Sequence, residues 1–171
     1  MTDGAAFDSR AYRDWCGRFA TGITVVTMRD GDQPHGMTAN AFTSVSLDPP
    51  LLLICVDKTA SVREALERSG VFTVNILSED QREIAQFFAR HGREDDPDAD
   101  AMGDFPYRDG QTGSPILDGT IGWADCRFWG ETDAGDHTVV IGEVVDMDLS
   151  QPDAAPLLFF ASNYRLLADP A

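Results

Sequence analysis

Thr38-Ala39-Asn40-Ala41-Phe42-Thr43-Ser44-Val45-Ser46-Leu47-Asp48-Pro49-Pro50-Leu51-Leu52-Leu53-Ile54-Cys55-Val56 is the stretch on which the fold of this chain turns. Thr38 to Leu47 alternates in places between apolar and polar residues, and Leu51 to Val56 is a continuous apolar run. Between them, Asp48-Pro49-Pro50 reads as a turn, because proline fixes φ and removes a ladder donor. A run this short and unalternated predicts a strand buried on both faces.

Outward from this stretch the texture stays β. Ile23 to Met28 is β-branched, and Val71 to Leu77 is another strand candidate. The last third holds two long ones, Thr120 to Glu131 and His137 to Asp148, and Asp133-Ala134-Gly135-Asp136 between them suggests a hairpin. An apolar segment from Pro156 to Leu167 closes the pattern. Helical spacing is confined to three short pieces. Tyr12, Trp15, Cys16 and Phe19 predict a helix over 9–19, capped by Asp8 or Ser9 and ended by Gly22. Ser61-Val62-Arg63-Glu64 fits a capping box for a helix over 61–68, with Val62, Ala65 and Leu66 on one face before Gly70. Ser78-Glu79-Asp80-Gln81 fits a second box, for a helix over 79–90 carrying Ile84, Phe87, Phe88 and His91. Residues 93–104 set six acids against Arg93 alone and read as a solvated loop. Many strands, few helices and no regular βαβ alternation predict a mainly antiparallel β-barrel with peripheral helices.

With 171 residues, one domain is the default, and 43% hydrophobic residues supply a core that needs no disulfide or structural metal. The net charge of −16 leaves nucleic-acid binding without electrostatic support, so no nucleic-acid partner is expected. Lys58 is the only lysine, and aspartate outnumbers glutamate; a salt-rich habitat or a GC-rich genome would each explain this. No apolar run is long enough for a membrane span, and Met1 to Asp8 lacks the order of a signal peptide, so a cytoplasmic protein without membrane contact is expected. Cys16, Cys55 and Cys126 are odd in number and far apart, so they read as buried small hydrophobes. His35, His91 and His137 show no metal-ligand spacing, and no metal site is expected. Phosphate-loop, dinucleotide-fold, serine-hydrolase and zinc-protease motifs are absent from the sequence.

What stands out chemically is Gly36 to Pro50. By composition it is an ordinary polar strand and turn. Its small hydroxyl and amide residues would also let a planar heterocycle approach the backbone, whose N–H groups can pair with ring carbonyls and nitrogens. This segment combines with Asn75-Ile76-Leu77-Ser78 leading to Phe87-Phe88-Ala89, with Gly135-Asp136-His137 ahead of Gly142-Glu143-Val144, and with the closing Pro156 to Leu167. In that order the motifs closely resemble the short-chain flavin reductases, which supply reduced flavin to two-component monooxygenases, and the resemblance runs from about Tyr12 to Leu167.

The resemblance implies a single flavin reductase-like domain over 1–171, with its core at about 12–167. Its fold would be an FMN-binding, Greek-key-like antiparallel split β-barrel. It also implies a homodimer with flavin near the subunit interface, FMN or FAD as flavin, NADH or NADPH as reductant, and a flavin-dependent monooxygenase as partner. By the same likeness, Thr38, Ala39 and Asn40 line the isoalloxazine and ribityl chain, and Cys55 and Val56 touch the flavin through backbone groups. Ser61 resembles the phosphate-side serine, where a helix N-terminus suits an anion; the hydroxyl could equally be the helix cap. Phe88, Ala89 and Arg90 match the segment that closes over the phosphate. Because a −16 chain needs a local cation to hold an anionic nucleotide, Lys58, Arg63, Arg90 and Arg93 are the nearest basic candidates. His137 would seat the nicotinamide beside the flavin as the residue closest to the chemistry. Hydride transfer of this kind needs orientation and no acid–base dyad. Two other readings stay open: a flavin-binding carrier or sensor without reductase activity, and a split-barrel flavoenzyme that keeps FMN and acts on its own small substrate.

Overall fold

A computed structural model describes residues 7–90 and 101–168. In chain order the strands are β1 (Thr21–Gly22), β2 (Thr24–Asp30), β3 (Gln33–Ala39), β4 (Phe42–Leu47), β5 (Pro50–Asp57), β6 (Val71–Ile76), β7 (Tyr107–Asp109), β8 (Pro115–Leu117), β9 (Gly122–Ala134), β10 (His137–Asp148), β11 (Leu158–Phe160) and β12 (Asn163–Arg165). Three helices accompany them: α1 (Ser9–Cys16), α2 (Ser61–Ser69) and α3 (Arg82–Phe88), the last entered through a 3-10 turn at Glu79–Gln81. Among the described residues, no helix is long and apolar enough to cross a membrane.

Seven strands form one antiparallel sheet in the order β3-β2-β6-β9-β10-β5-β4. Its two edge strands, β3 and β4, are consecutive in the chain and joined only through Asn40 and Ala41. Laid flat, seven strands would hold those edges about 29 Å apart. The three Cα steps from Ala39 to Phe42 reach at most about 11 Å. The sheet therefore rolls until its edges meet, yet the ladder does not close between them. This is the expected split barrel, with its seam at Asn40-Ala41.

The rolled sheet packs a core on each side. Inside, Val62, Ala65 and Leu66 of α2 meet Val26, Ile54, Phe72 and Val140. Outside, Ile84, Ala85 and Phe88 of α3 meet Val25, Leu77, Met102 and Leu157. Two glycines make this packing possible. A Cβ on Gly142 would lie 2.4 Å from the Phe72 ring, and one on Gly36 would lie 2.6 Å from the Phe88 ring. Asn75 is spent on the fold as well: its amide donates to the Val25 carbonyl (3.1 Å) and accepts from the Leu117 N–H (2.9 Å), tying β2 to β8.

Local expectations fare unevenly. The hairpin forms with the two-residue turn Gly135-Asp136, Gly135 taking φ +69° as such turns require. Asp8 caps α1, accepting from the Arg10 and Ala11 N–H groups, and the Ser78 N–H donates to Gln81 Oε1 as the second box predicts. Four readings need correction. Helix α1 ends at Gly17 and not Gly22, because the Gly17 N–H closes on Arg13 and its carbonyl takes the Ala161 N–H (2.7 Å). The cap of α2 is Ala60, with Ser61 already the first helical residue. Strand β5 is buried on one face only, Leu52, Ile54 and Val56 pointing inward while Leu51, Leu53 and Cys55 are half-buried. At the end of the loop read as solvated, Met102 inserts into the core under α3. Residues 93–100 of that loop, Arg93 among them, lie outside the described residues, as does His91.

Candidate functional site

At the seam of the barrel, the outward face of β5 forms one wall of a cleft of about 620 Å³, within the usual range for small-molecule sites. Leu53 and Cys55 project from β5, Thr43 comes from its partner β4, and Asn40 and Ala41 come from the seam itself. The facing wall is α1 with Arg13, Cys16 and Gly17, and Phe19, Thr21, Phe42, Phe159 and Ser162 complete the lining. The Thr21 hydroxyl is buried there without a hydrogen-bond partner. Among the described residues lining the cleft, Arg13 is the one charged side chain and none is a carboxylate.

The register of β5 on β10 extends this wall. Cys55 lies opposite Val139 and Asp57 opposite His137, and residues two apart share a face. His137 therefore stands on the same side of the sheet as Cys55, about 7 Å further along. Its Nδ1 contacts the Asp136 carboxylate at 2.8 Å, and the ring is 43% exposed, so Nε2 is left for a ligand. The hydrogen bond to His137, and then its charge, hold Asp136 below the usual carboxylate range. Immediately beyond, Asp57 accepts from the Thr59 N–H and hydroxyl (2.8 and 2.7 Å), a turn that delivers the chain into α2 at Ser61.

The residues singled out from sequence thus fall into three places. Asn40 and Cys55 line the cleft, and His137 continues its wall. Burial pushes the Cys55 thiol up, so it is a neutral wall and not a nucleophile. Thr38 and Ala39 approach the seam from behind: the Thr38 hydroxyl donates to the Ala85 carbonyl (2.7 Å), and Ala39 is buried while its carbonyl accepts from Thr24 (2.7 Å). Val56 is withdrawn. Its side chain is in the core, and since the Cys55 N–H faces the β4 side toward Ala41 (3.1 Å), alternation turns the Val56 amide toward β10. The Phe88 ring is likewise spent on packing, against Gly36 and the rings of Phe87 and Phe105. Ala89 and Arg90 are exposed at the end of α3 and do not line the cleft. The Ser61 side chain lies outside the described residues.

Of the basic candidates, Lys58 is held by Asp133 (2.5 Å) and the Gly135 carbonyl (2.7 Å), and Arg63 by Glu67 and Glu131. Both charges are neutralised within the protein. Sequence reading missed Arg13, Thr21, Leu53, Phe159 and Ser162. Arg13 had a signal, since its i, i+3 and i+4 spacing to Cys16 and Gly17 sets it beside the apolar Tyr12–Trp15–Cys16 face; the others meet only through strand order. Cysteine burial is split three ways: Cys126 is buried as expected, Cys55 half-buried and Cys16 exposed, contrary to expectation. No group of metal-ligating side chains converges among the described residues.

A barrel with a small-residue seam, a cleft beside it and a histidine on the same sheet face is matched by known proteins. The flavin reductase like domain matches residues 16–168. The chain belongs to the flavin reductase family. It is an oxidoreductase of that family. The reductase subunit HsaB of a flavin-dependent monooxygenase from Mycobacterium tuberculosis is 37% identical over 94% of this chain and 83% of its own length. A probable flavin reductase of Rhizobium meliloti is 43% identical over 84% of the chain, which spans 45% of that longer protein. Among solved structures, the NADH:FAD oxidoreductase SgcE6 of Streptomyces globisporus superposes with a TM-score of 0.87 at 35% identity, over 98% of this chain and 99% of that one; it has also been solved with NAD and FAD fragments. The flavin reductase PheA2 gives 0.84 at 37% identity, over 95% and 100%. These two structures thus share the fold described here over nearly the whole chain.

Proposed function

We propose that this chain is an NAD(P)H:flavin oxidoreductase that reduces FMN or FAD and passes the reduced flavin to a partner monooxygenase in the cytoplasm. The observation that carries this reading is the seam cleft, because its chemistry fits a flavin nucleotide. Small residues at Asn40-Ala41 let a flat ring reach main-chain groups, Thr21 offers a buried unpaired hydroxyl, and no carboxylate among the lining residues repels an anion. Hydride transfer between nicotinamide and flavin is chemistry the nucleotides themselves supply. The protein's part is to orient and to exclude water. Asn40 and Cys55 provide the wall, Thr38 and Ala39 fix the seam from behind, and His137 offers Nε2 to the nicotinamide amide while Asp136 holds its other nitrogen. The start of α2 at Ser61 and the exposed Arg90 are the candidates for the flavin phosphate.

The active form we infer is a homodimer. Helix α1 buries none of its residues, leaving Trp15 73% exposed, and Leu47 at the tip of β4 is 94% exposed. Apolar surface of this extent is characteristic of an interaction site.

Aerobic NADH and NADPH oxidation by the purified protein, with and without added FMN or FAD, tests the reading. Oxidation that requires added flavin and saturates with it is expected. Flavin binding without turnover would replace it with the carrier reading, and flavin retained through purification would replace it with an enzyme acting on its own substrate. Light scattering on the same sample reads the dimer.

A further inference from the structure

We propose that Arg13 is the residue that holds the diphosphate of the nicotinamide dinucleotide in the cleft; the assignment rests on the flavin reductase reading. The chain carries 29 acidic residues against 13 basic ones. Four of its cations are held in ion pairs at the surface: Arg29 by Asp109, Lys58 by Asp133, Arg63 by Glu67, and Arg68 by Asp30 and Glu64. Arg13 is set apart by its place: among the described residues it is the one cation that lines the cleft, it makes no ion pair, and no carboxylate shares the lining with it. The cleft is thereby a locally positive place in an acidic protein, which is what an anionic ligand requires.

Helix geometry aims this charge. Arg13, Cys16 and Gly17 fall at i, i+3 and i+4 and face the cleft together. Tyr12 and Trp15 stack on each other at 6.4 Å along a neighbouring face. A guanidinium matches paired phosphate oxygens through two parallel N–H bonds. The reductant is favoured over the flavin as the source of phosphate because Arg13 stands across the cleft from the β5 wall that leads to His137, whereas the start of α2 lies beyond His137 on the far side. A dinucleotide with its nicotinamide by His137 would lay its diphosphate toward α1. The buried, unpartnered Thr21 hydroxyl lines the same cleft as a second donor.

The test compares Arg13→Gln and Arg13→Lys with the parent chain. NADH binding is followed by the nucleotide's own fluorescence, and KM is measured for NADH and for reduced nicotinamide riboside, which has no phosphate. FMN and riboflavin binding are measured alongside. Loss of one charge-assisted pair is expected to weaken NADH about tenfold. The riboside, FMN and riboflavin should be unchanged, and Arg13→Lys should recover part of the loss. Equal weakening of NADH and the riboside would make Arg13 a merely structural residue and overturn the assignment. Weakening of FMN but not riboflavin would move the cation to the flavin phosphate and overturn it too, as would no change at all. If the parent chain binds NADH but does not oxidise it with flavin, the functional reading fails while the binding comparison still decides Arg13.

Discussion

The two faces of β5 are made of nearly the same residues and do different work. Inward, Leu52, Ile54 and Val56 join the core against α2; outward, Leu53 and Cys55 stay half-buried as the wall of the cleft. Their side chains do not distinguish these roles. What does is the set of elements each face meets: α2 closes the inside of the barrel, while the outer face looks across a cleft at α1, a helix that buries nothing of itself. An apolar run without alternation therefore announces two apolar environments, of which one can be a ligand or a second copy.

That contrast can be broken most directly by cutting both faces in the same way. Ile54→Ala should cost about 2–5 kcal/mol of unfolding free energy, since a fully buried side chain leaves a cavity. Leu53→Ala should cost well under half of that and should instead raise the KM for flavin severalfold. Urea unfolding and steady-state kinetics on the pair decide it. Equal losses of stability would mean that the outer face is as closed as the inner one.

A smaller effect is expected at the end of the same wall. His137→Ala should raise the KM for NADH severalfold while leaving the flavin dissociation constant unchanged. An unchanged rate at subsaturating NADH would remove His137 from the site. An independent readout comes from its neighbour, because losing the imidazole should return the Asp136 carboxyl upward toward the ordinary range, visible in a carboxyl NMR titration. Native Asp136 has a lowered pKa, so its contribution to stability is intact above the ordinary value of 3.8 and is lost as the pH falls through the lower native value. The variant should lose that acid-side component.

How much of this was legible beforehand follows from what each feature depends on. Gly135-Asp136 and Ser78 to Gln81 are local devices, set by a positive φ and by a side chain reaching back over one turn, and a few residues suffice to read them. The family resemblance named Asn40, Cys55 and His137, which the fold brings to one cleft and one sheet face. It also offered Val56 through its backbone, and Phe88; the phase of β5 turns the Val56 side chain into the inner core, and the missing Cβ of Gly36 lets the Phe88 ring pack in the outer one. The seam itself depends on strand order, in which β3 and β4 become opposite edges of one sheet, and no window of sequence contains that fact. The cleft inherits the same non-locality, since Thr21, Phe159 and Arg13 meet Cys55 only after the sheet has rolled.

The least disruptive way to sharpen the comparison uses the three thiols as probes of three environments. Cys16 is exposed on the α1 wall, Cys55 is half-buried on the β5 wall, and Cys126 is buried in the inner core, where burial and then the Asp125 charge push its thiol up to about 12. Since the thiolate is the reactive form, alkylation at mildly alkaline pH should label Cys16 first, Cys55 slowly and Cys126 only on unfolding. Cys126 also sets a direction for alkaline stability. Below the ordinary value of 9.0 neither state ionises and its contribution is intact; above it the unfolded chain gives up its proton while the native one does not, so stability falls as the pH rises toward about 12. Saturating flavin should slow labelling of Cys55 and leave Cys126 as it was. If flavin instead protects neither Cys16 nor Cys55, the cleft is not where it binds, and the outer face of β5 exists for the second copy alone.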